Sequence, residues 1–178
     1  DFVILYAASG TEETSRGVKK KITSFLVDIG TPGFSVEPGY NSVSHRGYHN
    51  FILNFDNCRV HKSQVLGEVD HGFDVANEWL GATRLSVASM CLGRAERALQ
   101  IAIEWAATRE QFGQTTGKFQ GVSFKLADMS MELHAAELLT LRAAWKDTKG
   151  EMTNSDAAMA KLKATETLSM VSDEAIQI

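Results

Sequence analysis

The chain has 178 residues, 44% of them hydrophobic and 22% charged, which suits one large or two small folded domains. Its 18 Lys and Arg are outnumbered by 22 Asp and Glu, for a net charge of −4, so a broad basic surface for phosphate backbones is not indicated. No apolar run reaches the roughly 18 residues needed to span a bilayer.

Residues 1–6, Asp-Phe-Val-Ile-Leu-Tyr, show neither a basic leader nor a small-residue cleavage site. They read as a strand without a lead-in, and the chain is expected to begin within a domain. Residues 2–8 form a short apolar run, and 22–29 are rich in β-branched and aromatic types. The charged, glycine-containing stretch 9–21 between them is expected to be a long polar loop joining a hairpin-like pair. Its basic run, residues 16–21, reads as solvated. Thr31-Pro32-Gly33 is a predicted turn, residues 34–37 alternate, and Pro38-Gly39 turns again. Residues 50–60 alternate as a strand, with Phe51, Leu53 and Phe55 on one face. Residues 1–67 are therefore expected to form an antiparallel β domain.

From Phe73 onward the period becomes helical. Ala76, Leu80, Thr83, Val87, Met90, Arg94, Ala98 and Ile101 recur every three or four residues. A helix over 73–109 is long for a globular protein, and a kink or break is expected near Gly81. A loop follows around Gly113 to Gly117. A second long helix is predicted over 119–149, with one apolar stripe through Val122, Leu126, Met129, Leu133, Ala136 and Ala143. A second stripe runs through Phe124, Met131, Leu138, Leu141 and Trp145, so burial on two sides is expected. Gly150 ends this helix, and residues 153–156 can cap a third. The last residues, 175–178, carry no stop signal, so the chain is expected to end within an element. Residues 68–178 are thus read as a helical bundle domain. The fold class is α+β multidomain, an antiparallel β domain followed by an antiparallel four-helix-bundle type of domain, truncated at both ends.

Phosphate-loop, dinucleotide, serine-hydrolase and zincin signatures do not occur. His134 and Glu137 lie three apart, but in the reverse order of a di-iron Glu-x-x-His pair and without companions. No metal site is expected. His45 and His49 read as surface or hydrogen-bonded loop histidines, and Cys58 and Cys91 as buried free thiols.

The segment Arg109-Glu110-Gln111-Phe112-Gly113-Gln114, followed by Phe119-Gln120, stands out. A helix end closed by glycine accounts for Arg109 and Gly113 alone. The cluster also holds an arginine fork suited to phosphate, an adjoining helix N-terminus with its amides, and an aromatic ring able to pack on a heterocycle. Those parts together suggest a nucleotide pyrophosphate.

This segment resembles the Arg-x-x-Phe-Gly…Gln signature of the acyl-CoA dehydrogenase family. The likeness extends over essentially the whole chain: residues 55–60, 65–68 and 71–73, then Thr83-Arg84, Ala127-Asp128-Met129 and residues 173–178 are similar to family stretches in the same order. The resemblance implies an N-terminal helical domain, a middle β domain and a C-terminal four-helix bundle, of which this chain would hold part of the second and most of the third. It implies a homotetramer or homodimer with FAD at a subunit interface. Arg109, Gln111 and Phe112 would meet the FAD of a neighbouring subunit, with Gln120 and Gln177 on the same part of the cofactor. Leu80, Gly81, Thr83 and Arg84 would lie along the acyl-CoA.

The implied reaction is α,β-dehydrogenation, as in β-oxidation of fatty acids: a glutamate takes the α-proton and the β-hydride passes to flavin N5. Electrons would go on to an electron-transfer flavoprotein, in a bacterial cytoplasm or a mitochondrial matrix. No catalytic residue is assigned within the chain. In a minority of members the base precedes the arginine matching Arg84, where this sequence has Thr83, so the glutamate is expected beyond Ile178. Gly81 departs from the Asp or Asn of many members, and the loop from Ser44 to Asn50 is atypical of the best-known fatty-acid enzymes. Other readings are an acyl-CoA oxidase, a flavin monooxygenase-like relative, or a non-catalytic helical scaffold.

Overall fold

The computed structural model describes residues 1–43 and 47–178. Ser44, His45 and Arg46, within the loop singled out above, lie outside the described residues. The chain divides into two compact units, Asp1–Glu78 and Trp79–Ile178.

In the first unit, β1 (Phe2–Thr14) and β2 (Gly17–Asp28) form a long antiparallel hairpin, and β5 (Val65–Leu66) pairs with β2 at Ser24 and Phe25. A second antiparallel pair joins β3 (Phe34–Pro38) to β4 (Phe51–Phe55), with the rings of Phe34 and Phe55 stacked at 4.6 Å. The expected polar loop over 9–21 is instead strand on both sides. Its register shifts between Ala8 and Gly10, which leaves Ser9 in a bulge, and then continues to Thr14. The charges conceal this from an apolar pattern because they pair across the strands, as Glu12 does with Lys19 at 3.6 Å. The turn itself is only Ser15 and Arg16, closed by Gly17 at φ 110°. Strand β4 stops at Phe55, short of the expected Val60, because Asn57 turns the backbone to φ 48°.

The bulge serves the junction with the first helix, α1 (Gly72–Thr108). The Ser9 hydroxyl donates to the Asp70 carboxylate at 2.7 Å, Lys21 approaches Asp70 at 3.3 Å, and the Asp70 amide donates to the buried Thr23 hydroxyl at 2.7 Å. The Ser9 bond, followed by Lys21, holds the Asp70 carboxyl below its ordinary pKa. Gly72 then lies so close to β2 that an added Cβ would sit 2.7 Å from the Ser24 amide nitrogen and 2.8 Å from its hydroxyl.

In the second unit α1, α2 (Gln120–Thr148) and α3 (Asn154–Gln177) run alternately up and down. One core cluster joins Ala95, Leu99 and Ala102 to Met129, Leu133 and Val171, and another joins Ala88 and Cys91 to Ala143, Ala160 and Ala164. The predicted α1 stripe is therefore displaced. Met90 and Ile101 are about half exposed, while the buried line is Ala88, Cys91, Ala95, Leu99, Ala102 and Ala106. Apolar residues occur all round α1, and the small ones, together with Cys91 and Leu99, mark the buried face. The first α2 stripe is buried at Met129, Leu133, Ala136 and Ala143, but the second is exposed throughout. The expected break at Gly81 is absent: α1 is continuous over 37 residues. One helical glycine costs only about 1 kcal/mol relative to alanine, and Gly81 is buried, with the Met152 side chain above it. Cys91 is buried and Cys58 half-buried, both as free thiols.

The start of α3 is fixed by one carboxylate. Asp156, 6% exposed, accepts from Lys146 at 2.8 Å, Arg142 at 3.2 Å and the Thr153 hydroxyl at 2.6 Å, and its own amide donates to Thr153 at 3.1 Å. This reciprocal cap ties the end of α2 to the beginning of α3.

Gly72→Ala is expected to destabilise the protein by about 1–3 kcal/mol, since the backbone of β2 must shift to admit the methyl group, as measured by urea denaturation. Asp156 offers a pH-dependent test. Lys146, then Thr153, hold its carboxyl far below the usual range in the folded state. Its contribution is thus fully present above the unfolded pKa of about 3.9 and is lost as pH falls through the lowered folded value. Asp156→Asn should lower Tm at neutral pH, and the gap from wild type should narrow below about pH 4. A gap that is constant with pH would refute the assignment.

Candidate functional site

The Arg-x-x-Phe-Gly segment is expected as a loop, and the structure makes it a miniature hairpin. Strand β6 (Glu110–Gln111) pairs with β7 (Gln114–Thr115), leaving Phe112 and Gly113 as a two-residue turn at φ 54° and 79°. Successive positive φ values define the type I′ turn, whose twist suits so tight a connection. Glycine adopts this backbone freely, whereas phenylalanine pays roughly 1–2 kcal/mol. The result is a ring held out at the tip, 94% exposed, with Phe119 edge-on behind it at 6.3 Å.

The base of the hairpin is tied to the end of α1. The Arg109 amide donates to the Trp105 carbonyl, and its own carbonyl accepts from Thr116, both at 2.8 Å. Its guanidinium lies 5.8 Å from the centre of the Trp105 ring, a cation–π contact that orients the side chain without neutralising it. Gly117 closes against α1: an added Cβ would lie 3.0 Å from the Ala106 carbonyl oxygen. Trp105 and Thr116 were not singled out in the sequence, and Gly117 only as the end of a loop, although the four-residue spacing of Trp105 and Arg109 was available as a signal.

Gln111 lies on β6, where its side-chain amide donates to the Glu110 carbonyl at 2.7 Å. Gln120 opens α2, whose N-terminus has Phe119 at the cap and no side-chain hydrogen bond to its amides. Such amides can receive an anion. Gln177 is exposed at the last turn of α3, and the Lys125–Glu174 ion pair holds that turn beside the start of α2. All five expected cofactor residues thus occupy one end of the three-helix unit.

The expected substrate residues occupy the other end. Leu80 and Arg84 are half-buried, Gly81 is buried beneath Met152, and the Thr83 hydroxyl donates to the Trp79 carbonyl at 3.0 Å. From Arg84 to Arg109 the rise along α1 is about 37 Å at roughly 1.5 Å per residue. The two groups do not meet within one chain.

These features describe a β unit leading into long antiparallel helices, with an exposed arginine–aromatic hairpin at one end. The family model for the acyl-CoA dehydrogenase C-terminal domain matches residues 70–178. The chain belongs to the acyl-CoA dehydrogenase family. It is 41% identical over 167 residues to the human mitochondrial short-chain specific acyl-CoA dehydrogenase, covering 93% of this chain and 40% of that protein. Among solved structures, butyryl-CoA dehydrogenase from Megasphaera elsdenii matches with a TM-score of 0.86 at 37% identity, over 99% of this chain and 45% of that one. The prolyl acyl carrier protein oxidase AnaB matches at 0.88 and 30% identity, over 99% and 46%. The chain spans less than half the length of each of these relatives.

Phe112→Gly should relieve the backbone strain and stabilise the fold by about 1 kcal/mol. Thermal unfolding without any added ligand measures this, and a clear loss of stability would show that the ring supports the hairpin rather than burdening it.

Proposed function

We propose that the chain is the β-to-helix portion of an FAD-dependent enzyme that dehydrogenates an acyl-CoA thioester between its α and β carbons. The observation that carries this reading is the hairpin end of the helical unit. An exposed guanidinium, an uncapped helix N-terminus, three glutamines and a ring held outward fit a diphosphate joined to a flat heterocycle. Arg109 would pair with the diphosphate, the first amides of α2 would complete its cradle, and Phe112 would pack against the adenosine side, with Gln111, Gln120 and Gln177 around it. FAD, when bound, supplies the hydride acceptor.

Leu80, Gly81, Thr83 and Arg84 would line the acyl-CoA at the opposite end of the bundle. Their distance from the hairpin supports a cofactor shared between subunits of a homotetramer or homodimer. The Thr83 hydroxyl, committed to the Trp79 carbonyl, is no proton acceptor for the α-carbon. The base is therefore a carboxylate outside residues 80–84, as expected for a glutamate beyond Ile178. An electron-transfer flavoprotein would reoxidise the enzyme. No helix among the described residues is long and apolar enough to cross a membrane, and the bacterial cytoplasm and mitochondrial matrix remain the two proposed locations.

A second reading, an oxidase, is favoured by the likeness to AnaB at a TM-score of 0.88. Reoxidation of the reduced protein by dissolved oxygen at the rate of turnover would favour it, and slow reoxidation the dehydrogenase.

The test is an absorbance spectrum of the purified full-length protein during anaerobic addition of a panel of acyl-CoAs. Bleaching of a flavin spectrum by one thioester class is expected; a protein that binds no FAD would overturn the reading. Arg109→Ala should weaken FAD binding roughly ten- to a hundredfold, the worth of a charge-assisted hydrogen bond, with little change in the Tm of the apoprotein.

A further inference from the structure

Helices α2 and α3 enclose a cleft of about 460 Å³ whose charges do not balance. Lys125 pairs with Glu174 near one end, and Lys163 pairs with Glu132 near the other. Asp128 and Glu166 also line the cleft, and neither has a hydrogen bond or ion pair among the described residues. Two lysines thus stand against four carboxylates, an excess of two negative charges. On the floor lies Thr167, 2% exposed, whose hydroxyl has no hydrogen-bond partner among the described residues. Helical threonines commonly return the hydroxyl to the carbonyl four residues back, as Thr140 does to Ala136 and Thr165 to Lys161. Thr167 does not. A buried hydroxyl left alone in a paired interior calls for a partner.

We propose that this cleft binds a short linear diammonium ion, the cation of an aliphatic diamine. The lining selects that class. Among the described residues no three carboxylate, histidine or cysteine groups come together to hold a metal ion, so the surplus charge is spread along the cleft rather than gathered at a point. A cation with two separated charges matches that spread as a bare metal ion does not. Lys163, Thr167, Met170 and Glu174 succeed one another at intervals of four, three and four, which places them on one line down α3. Lys125, Asp128 and Glu132 form the facing line on α2, running the other way. The two ion pairs close this trough at points about 10 Å apart along α2 and about 16 Å apart along α3, with room between them for a short methylene chain. One ammonium would donate to Asp128, and the other to Glu166 and the Thr167 hydroxyl oxygen. Met170 and the methylene stems of the two lysines offer the chain apolar contact.

The ion pairs also set the limits of the site. A cation with a single charge has nothing to place against the second free carboxylate, and a long polycation would have to run over the lysines that close the trough. The site goes beyond the FAD and acyl-CoA reading and does not rest on it: no residue in the cleft is among those assigned to the cofactor or the thioester.

The experiment is titration calorimetry of the full-length protein with putrescine, a four-carbon diamine, against butylamine and magnesium chloride at matched ionic strength. Putrescine should bind saturably, at one site per chain. Butylamine should bind roughly tenfold more weakly, for want of the second charge-assisted hydrogen bond, and magnesium should not displace the diamine. Thr167→Val keeps the shape of the side chain, removes the hydroxyl and should weaken putrescine binding about three- to tenfold. Glu166→Gln and Asp128→Asn, at exposed positions, should each weaken it roughly tenfold, and they test the site even if Thr167→Val folds poorly. No saturable binding of putrescine at millimolar concentration would overturn the proposal. So would equal affinity for butylamine, displacement by magnesium, or an affinity unchanged by Glu166→Gln, each of which would reduce the cleft to diffuse surface charge. FAD content read on the same samples keeps the two readings apart: diamine binding by a protein that takes up no FAD would sink the cofactor reading and leave the cleft standing.

Discussion

Alanine sets the spacing of α2 against α3, and the geometry of the helical unit is built on that pair. Ala88, Ala95, Ala102 and Ala106 on α1 face a core that includes Ala136 and Ala143 on α2 and Ala157, Ala160 and Ala164 on α3, all buried. Between α2 and α3 so little side chain intervenes that the two helices approach closely, whereas α1 is joined to them through longer side chains such as Leu99, Met129 and Leu133. The ends of the helices are thereby held in register: the end of α1, the beginning of α2 and the last turn of α3 come together, and the hairpin is presented from that platform. Asp156 performs the matching task at the other end, where its cap joins α2 to α3.

Rigidity has a functional cost within one chain. Two groups of residues fixed to opposite ends of a stiff helix cannot converge by local motion, and hinge bending is not an option for an uninterrupted α1. A site that needs both groups must take one of them from elsewhere. Under the proposed function a second subunit would supply it, since a two-fold axis provides each missing group reciprocally.

Much of this was legible in the residues. The change of period near Phe73, the cap at residues 153–156 and the grouping of Arg109, Gln111 and Phe112 all carried local signals that the structure follows. Other features did not carry them. The ribbon through residues 9–21 has no buried face, so its strands lack the alternation that betrays most strands. The packed face of α1 is marked by small residues rather than large ones, and a pattern sought among Met90 and Ile101 falls beside it. The turn at Phe112 went unread because phenylalanine is a poor occupant of positive φ; only pairing of Glu110 with Thr115 forces it there. Gly81 looked like a breaker because sequence alone does not reveal the Met152 side chain above it. The second apolar stripe of α2 was visible from the start, and the structure leaves it exposed throughout.

The long β1–β2 ribbon has a bearing on solubility. Strand β1 lies at the edge of its sheet, and β5 covers β2 only at Ser24 and Phe25, so most of the ribbon offers backbone groups that a stray strand could join. Glu12 and Glu13 on one strand and Lys19, Lys20 and Lys21 on the other line that stretch, with Glu12 directly opposite Lys19. A foreign strand docking there would have to bury several charges or match them in order, which few sequences do. The same residues that hid the ribbon from an apolar reading therefore act as its guard against edge-to-edge aggregation, most usefully while the chain is newly made and its partners have not yet arrived.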